Sequence, residues 1–234
     1  MKDLIILGAG GSGWDIVSIV NAINKQSVEW NVLGFLDDNV TLHGKEFCGV
    51  KVIGSIDECN KWPNAFFVSS IANPTNRLVR KMIWDKVKTK GLNFATIIHP
   101  SVVIYDEVII EEGCVVNANS VLATGVTLEK DVHIGYACNI GHETRVCEHT
   151  TFGAAVNLSS GVIINPNCYI GAGVSSTHDV EVEEDTLVAV GSAIVTNMKK
   201  NESKMWIGVP AITQTKYQDM LVERKMIKNI INNL

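Results

Sequence analysis

Residues 127–152 read TLEKDVHIGYACNIGHETRVCEHTTF, and every sixth residue of this stretch is large and apolar. The set is Leu128, Ile134, Ile140, Val146 and Phe152. An α-helix repeats about every 3.6 residues and a plain strand every two, so neither produces this period. Each group of six residues must therefore form one short strand and one corner.

The same period extends in both directions without an insertion. Every sixth residue from Ile98 to Ile194 is large and apolar except Ser176, and a small or β-branched residue lies two positions before each. Three groups of six close one triangular coil, and stacked coils lie about 4.8 Å apart. The pattern predicts a parallel β-helix over residues 96–212.

A third column, three residues after each large one, is mostly Gly, Asn or Asp, which tolerate a positive φ at a turn. Four successive corners depart from it: Ala137, Glu143, His149 and Ala155. Local rules tend to fail at functional sites. We therefore predict that ordinary turn chemistry is replaced between residues 137 and 155.

His142 and Glu143 lie inside this interval. A neutral imidazole accepts a proton near pH 7, and a neighbouring carboxylate holds its tautomer. The spacing alone fits a solvated turn histidine equally well. His178, two coils further on the same face, is the alternative base, whereas His133 and His149 are interpreted as rim residues. No His, Cys, Asp or Glu set recurs at ligand spacing, so no metal is predicted.

The first domain is predicted over residues 1–95, where strand and helix patterns alternate as in a small Rossmann-like parallel sheet. Three glycines follow the first strand in a GxGxxG pattern. They are Gly8, Gly10 and Gly13. Such a loop lets backbone amides approach a phosphate, and Asp37 and Asp38 suit a ribose or a base. We expect a nucleotide ligand; the alternative is that the glycines only tighten a turn and the aspartates cap a loop.

Composition excludes several classes of function. The 234 residues carry a net charge of −5 without a basic stripe, so nucleic-acid binding is not expected. Neither a signal-peptide core nor an apolar run of membrane length occurs, which predicts a cytoplasmic protein without membrane insertion. The six cysteines form no CxxC pair and are expected to be reduced thiols.

Several motifs together resemble a known family. GAGGSG and GFLDD in the first domain, IIHP at its end, IGHE within the repeats and WIGVPA after them are similar to the bacterial nucleotide-sugar acetyltransferases of the PglD and NeuD kind. The likeness spans residues 1 to about 212. It implies a left-handed β-helix, a homotrimer, acetyl-CoA bound between neighbouring β-helices and a nucleotide-linked amino sugar held by the first domain. Residues 213–234 are predicted to be a C-terminal helical segment.

The resemblance also implies roles for individual residues. His142 is the general base and Glu143 orients it. The expected contacts of the nucleotide sugar are Gly10, Gly11, Ser12, Gly13, Asp37, Asp38 and Gly54. The expected contacts of acetyl-CoA are Thr151, Ser160, Ala172 and Val190, with the Ser160 amide, one eighteen-residue coil from His142, as the oxyanion donor.

Three positions depart from the family pattern. Ser12 replaces a common His in the glycine loop, and Thr151 replaces a second His that contacts the acetyl group. Ile212 replaces a basic residue, for which Lys216 is the expected substitute on the CoA phosphate.

The sequence therefore predicts an acetyl-CoA-dependent N-acetyltransferase that acts on a nucleotide-linked 4-amino-4,6-dideoxy sugar. Two alternatives remain open. One is a sugar O-acetyltransferase of the sialic acid type, and the other is a non-catalytic trimer that senses nucleotides.

Overall fold

The N-terminal domain is a six-stranded sheet with helices on both faces. The computed structural model describes residues 1–199 and 204–231. The strands are β1 (Lys2–Leu7), β2 (Trp30–Leu36), β3 (Glu46–Phe47), β4 (Val50–Gly54), β5 (Phe66–Ser69) and β6 (Asn93–Phe94). The helices are α1 (Gly11–Gln26) and α2 (Leu78–Lys88), with 3₁₀ helices at Val40–Leu42 and Ile56–Lys61.

The strand order is β3-β4-β2-β1-β5-β6, and only the β3 to β4 pairing is antiparallel. Residues 4–7 of the central strand β1 form a continuous apolar run that is fully buried, as expected for a parallel strand covered on both faces. The carboxyl ends of β1 and β2 lie side by side and place the glycine loop next to Asp37.

Short strands from β7 onward stack into the three faces of a left-handed β-helix. The first face contains β7 (Ile97–Ile98), β10 (Val115–Val116), β13 (His133–Ile134), β16 (Thr151–Phe152), β19 (Tyr169–Ile170), β22 (Leu187–Val188), β24 (Met205–Ile207) and β25 (Ile212–Thr213). The second contains β8 (Val103–Ile104), β11 (Val121–Leu122), β14 (Asn139–Ile140), β17 (Asn157–Leu158), β20 (Ser175–Ser176) and β23 (Ala193–Ile194). The third contains β9 (Ile109–Ile110), β12 (Thr127–Leu128), β15 (Arg145–Val146), β18 (Ile163–Ile164) and β21 (Glu181–Val182).

Both inward columns of the repeat have the predicted roles. The large residues from Val116 to Ile194 are buried along the axis, apart from the half-buried Ser176. Several polar members of the small column donate hydrogen bonds to a carbonyl group in the next coil. Examples are Ser120 Oγ to Gly135 O at 2.9 Å, Thr144 Oγ1 to Ser159 O at 3.1 Å and Thr150 Oγ1 to Asn165 O at 3.2 Å. These bonds satisfy the buried hydroxyls.

The first coil differs from the rest because no coil lies beneath it. Ile104 belongs to the axial column but is 46% exposed, and its neighbours Val103 and Tyr105 are also exposed. Ile109 on the next strand adds to the same apolar surface.

The four irregular corners keep the backbone geometry of the regular ones. Ala137, Glu143, His149 and Ala155 have φ angles of 52°, 58°, 60° and 56°. The residue types therefore change at these corners, whereas the turn conformation is kept. Since a residue with a Cβ atom is disfavoured in this region by about 1 kcal/mol or more, the stacked coils must impose the conformation.

Helix α2 fastens the N-terminal domain to the corner between the third and first faces. Its ion pairs are Arg77 Nη2 to Asp185 Oδ1 at 2.9 Å, Arg80 Nε to Asp131 Oδ2 at 2.8 Å and Lys88 Nζ to Glu112 Oε1 at 3.0 Å. Because the three carboxylates belong to different coils, the helix follows the axis of the β-helix. Helix α1 then covers the start of the first face, where it contacts β7.

The C-terminal helix, α3 (Gln214–Ile231), follows the antiparallel pair β24 and β25. Residues 232–234 of the predicted C-terminal segment lie outside the described residues. Within the described residues, no helix is both long enough and apolar enough to cross a bilayer.

Candidate functional site

The glycine loop presents an uncapped helix N-terminus to solvent. Gly10 is the N-cap of α1 and supplies no side-chain hydrogen bond, and no acidic residue occupies the first turn. Gly10 and Gly11 are exposed, and a Cβ atom on either would meet nothing within 4 Å. Ser12 is exposed beside them. Free amides at a helix N-terminus attract an anion such as a diphosphate.

The predicted aspartates hold the loop in place. Asp37 Oδ2 accepts from the Ala9 amide at 2.8 Å, and Asp37 Oδ1 accepts from the Asn39 amide at 2.8 Å. Asp38 Oδ1 accepts from the Ile56 amide at 2.8 Å. A carboxylate oxygen accepts more than one hydrogen bond, so both groups retain capacity for a ligand. The two aspartates therefore cap loop amides, as the alternative interpretation predicts, and still have oxygen lone pairs for a ligand.

Gly13 is required by packing against backbone, whereas Gly54 lies against the end of the Glu58 side chain. A Cβ atom on Gly13 would lie 2.6 Å from Gly8 O, and one on Gly54 would lie within 2.2 Å of Glu58 Oε2. Both glycines are buried. They allow close approach of helix, strand and loop, whereas Gly10 and Gly11 leave open space for a ligand.

His142 and Glu143 stand on the corner between the second and third faces. Their side chains are 61% and 80% exposed, and His142 Nδ1 lies 3.8 Å from Glu143 Oε2. That distance exceeds a hydrogen bond. Gly125 and Gly161 occupy the same corner in the adjoining coils, which leaves the imidazole and the carboxylate unobstructed. His178 is exposed on the same corner two coils away, about 10 Å along the axis.

Ser160 lies directly above this corner. The Gly161 amide donates to His142 O at 3.0 Å, and a Cβ atom on Gly141 would lie 2.8 Å from the Ser160 amide nitrogen. The structure therefore places the predicted oxyanion donor in the coil next to His142.

The remaining predicted CoA contacts lie elsewhere. Ala172 and Val190 are stacked on the corner between the first and second faces, where the Gly191 amide donates to Ala172 O at 2.9 Å. Thr151 is buried on the first face and accepts from Arg80 Nη1 at 2.6 Å. Ala172 and Val190 lie at the opposite edge of the second face from His142, and Thr151 lies on the first face, so one chain does not bring these residues together with His142. Lys216 lines a groove of about 520 Å³ beside Trp206 and Ala211.

The interpretation of His133 and His149 as rim residues is wrong. His149 is 4% exposed and His133 is 7% exposed, and both face the fully buried Asp131 carboxylate. His149 Nδ1 donates to Asp131 Oδ2 at 2.9 Å, and His133 Nε2 lies 3.6 Å from Asp131 Oδ1. Arg80 Nε completes the group with its bond to Asp131 Oδ2. We call these four residues the buried charge cluster.

Burial and charge set the protonation of this cluster. Burial raises the pKa of Asp131, but the Arg80 guanidinium and the two imidazoles outweigh burial and hold this pKa well below its usual range. Burial, and secondarily Arg80, lowers the pKa of His133 to about 4. At neutral pH the cluster therefore contains one carboxylate, one guanidinium and a neutral His133 imidazole.

Sequence reasoning missed Arg80 and Asp131. Arg80 had a visible signal, because the buried positions of α2 are Arg80, Ile83, Trp84 and Val87, so a charged residue falls on the apolar stripe. Asp131 had none, since aspartate is ordinary in the turn column. Within the described residues, no three His, Cys, Asp or Glu side chains are arranged to hold a metal ion.

An α/β domain joined to a left-handed β-helix, with a glycine loop at an uncapped helix N-terminus and an exposed His and Glu corner, is the architecture that the motifs predict. Residues 3–86 match the family described as the PglD N-terminal domain. The resemblance to acetyltransferases of the PglD and NeuD kind is confirmed.

Named relatives agree with that assignment. GDP-perosamine N-acetyltransferase of Escherichia coli is 28% identical over 171 residues, which are 72% of this chain and 75% of that protein. The acetyltransferase domain of PglB from Neisseria gonorrhoeae, in complex with acetyl coenzyme A, has a TM-score of 0.81 at 24% identity and covers 91% of this chain and 98% of its own. PerB from Caulobacter crescentus, in complex with CoA and GDP-perosamine, has a TM-score of 0.78 at 23% identity and covers 91% and 97%.

Proposed function

We propose that this protein transfers the acetyl group of acetyl-CoA to the amine of a nucleotide-linked 4-amino-4,6-dideoxy sugar, with GDP as the first nucleotide to test. The observation that carries the proposal is the exposed His142 and Glu143 corner, in a chain 28% identical to a GDP-perosamine N-acetyltransferase. The reaction uses acetyl-CoA, which favours the cytoplasm as its location.

The reaction needs no acyl-enzyme. The amine nitrogen attacks the thioester carbonyl carbon while His142 accepts the amine proton. The Ser160 amide donates to the oxyanion of the tetrahedral intermediate. Collapse of that intermediate breaks the C–S bond, and the CoA thiolate takes a proton to leave as the thiol. Glu143, which lies near His142 Nδ1, orients the imidazole and stabilises its charged form.

The separation of the predicted residues supports a homotrimer. A second chain that presents its corner with Ala172 and Val190 to the corner with His142 would unite the two groups. The exposed apolar residues of the first coil, Val103, Ile104 and Ile109, provide surface for such contacts. Sedimentation equilibrium should give three times the chain mass of 25.5 kDa, and a mass of one chain contradicts this arrangement.

A panel of acceptors tests the reaction. The full chain is mixed with acetyl-CoA and with GDP-perosamine, UDP-linked and dTDP-linked 4-amino sugars, free perosamine or GDP, and thiol release is followed. We expect release with one class of nucleotide-linked amino sugar only.

Other results select the alternatives. Equal rates with a free sugar would mean that the nucleotide pocket is idle and would favour O-acetylation. An absence of both thiol release and calorimetric acetyl-CoA binding would favour a non-catalytic protein.

A further inference from the structure

A cleft between the two domains is distinct from the His142 corner. It lies between the first turns of α1, the segment after β5 and the first face of the β-helix, and its volume is about 200 Å³. Ser12 and Asp15 line one side, and Asn117, His133 and Tyr169 line the other. Pockets for larger ligands are typically about 300–1,000 Å³, so this cleft suits one sugar ring better than a whole nucleotide sugar.

The position of the cleft matches a sugar attached to a nucleotide. Ser12 belongs both to the cleft and to the helix N-terminus that favours a diphosphate. At the other end the cleft reaches Tyr136 and Ala154, which continue the corner of Ala172 along the axis. A ring placed here would extend from the diphosphate toward the edge where a second chain's His142 is proposed.

His133 forms part of the floor of this cleft with an unused hydrogen-bonding atom. His133 lies between Val115 and Thr151, its partners on the two neighbouring strands of the first face, and all three residues line the cleft. Its Nε2 is enclosed, without a hydrogen-bond partner among the described residues, and faces Asp131 Oδ1 at 3.6 Å. Nδ1 is therefore the nitrogen that remains for a ligand.

The buried charge cluster decides which kind of partner Nδ1 takes. Asp131 is held by Arg80 and His149, and its free oxygen Oδ1 faces His133 Nε2. A carboxylate next to Nε2 favours the tautomer with its proton on that nitrogen, which leaves a lone pair on Nδ1. A second buried acceptor, Asn117 Oδ1, is also unpaired, while Asn117 Nδ2 donates to Ile134 O at 3.0 Å. Because Asn117 Oδ1 is enclosed, the acceptor that remains for a ligand is His133 Nδ1, and it calls for a ligand that donates.

We propose that His133, oriented by Asp131, accepts a hydrogen bond from a hydroxyl group of the sugar ring bound in this cleft and selects nucleotide-linked sugars over the free nucleotide. This rests on the proposed function. His133 is a binding residue; the proton acceptor of the reaction remains His142.

Two matched substitutions separate the two nitrogens of His133. His133→Gln places a polar atom near the Nε2 position, so it keeps the contact with Asp131 and loses the cleft acceptor. His133→Asn places a polar atom near the Nδ1 position, so it keeps the cleft acceptor and loses the contact with Asp131. His149→Gln is the control, because it removes the Nδ1 bond to the same carboxylate at a residue that does not line this cleft.

The experiment is calorimetric binding of GDP-perosamine and of GDP to the full chain. We expect His133→Gln to weaken GDP-perosamine binding about five- to tenfold, the range for one neutral hydrogen bond, with GDP binding unchanged. His133→Asn should stay within about threefold of the wild type. His149→Gln should lower the melting temperature without changing the ratio of the two affinities.

Three results would overturn the inference. Wild-type GDP-perosamine affinity in a folded His133→Gln variant would mean that the ring does not contact His133. An equal loss for GDP and GDP-perosamine would show a structural role only. If the wild type binds no nucleotide-linked amino sugar, the proposed function fails first, and the role of His133 fails with it.

Discussion

Two imidazole and carboxylate pairs lie in this β-helix in opposite environments. His142 and Glu143 are exposed on one corner, with 3.8 Å between their nearest ring nitrogen and carboxylate oxygen. His149 and Asp131 are buried on another corner and are hydrogen-bonded at 2.9 Å. Both pairs combine an imidazole with a carboxylate, so the main difference between them is the environment, solvent for the first pair and the protein interior for the second.

Burial restricts the second pair, whereas exposure to solvent leaves the first pair free to move. The buried charge cluster is enclosed by α2 and held by the bonds of Arg80 and His149 to Asp131, so its geometry is determined within one chain. The exposed pair is mostly open to solvent, and in our proposal it acquires its working geometry when substrates and a second chain cover it. In our proposal the exposed corner carries the chemistry, whereas the buried charge cluster contributes to stability and to ligand selection.

The largest expected effect is at the exposed corner. His142→Asn should lower kcat by about 10²- to 10⁴-fold, the usual contribution of a general base, with little change in either KM. His178→Asn is the matched control, because His178 is exposed on the same corner two coils away. Steady-state thiol release checks both variants. Loss of turnover in His178→Asn alone would move the base to that residue.

The next effect is at the buried carboxylate. Asp131→Asn should lower the free energy of unfolding by about 3–5 kcal/mol, because Arg80 is left as a buried charge without a counter-ion. Asparagine tolerates the φ of 57° at this corner, so backbone strain does not contribute. Glu143→Gln, at an exposed corner, should change the free energy of unfolding by less than about 0.5 kcal/mol. Urea denaturation measures both, and equal changes would remove the distinction between the corners.

Acid should weaken the buried region specifically. In the unfolded chain His133 titrates near its ordinary pKa, whereas in the folded protein its pKa is lowered to about 4. Between those values the unfolded state binds the extra proton, so stability falls as pH decreases from about 6.5 to 4. Urea midpoints across this range should show His133→Asn losing less stability than the wild type, by on the order of 1–3 kcal/mol. His142→Asn should keep the wild-type slope; a flattened slope there would contradict the assignment.

The smallest effect concerns the corners themselves. Ala137→Gly should stabilise the protein by about 0.5 kcal/mol, because glycine accepts the φ of 52° without strain. Ala123→Gly, at a position without a positive φ, should destabilise it by about 0.5–1 kcal/mol. Thermal melting of the two variants checks the sign, and destabilisation by Ala137→Gly would show that the corner is not strained.

The repeat explains why so much of the fold was predictable. A period of six leaves one arrangement in which Leu128, Ile134 and Ile140 all face an axis, and the GxGxxG pattern similarly requires a strand followed by a helix. His142 was found because its corner breaks a residue pattern, although its backbone does not change.

The buried charge cluster could not be found in this way. Asp131 looks like an ordinary turn residue, and its partner Arg80 is 51 residues earlier in another domain. His149 resembles a surface corner until α2 covers it. Contacts between two domains depend on how the domains dock, and a local pattern carries no information about that.

The division between a reactive corner and a binding cleft is tested most directly by steady-state kinetics of His142→Asn and His133→Gln, measured side by side with GDP-perosamine and acetyl-CoA. The expected result is a crossed pair: His142→Asn lowers kcat and leaves KM for the nucleotide sugar unchanged, whereas His133→Gln raises that KM and leaves kcat unchanged. If both variants change the same parameter, or if they exchange effects, the division is wrong.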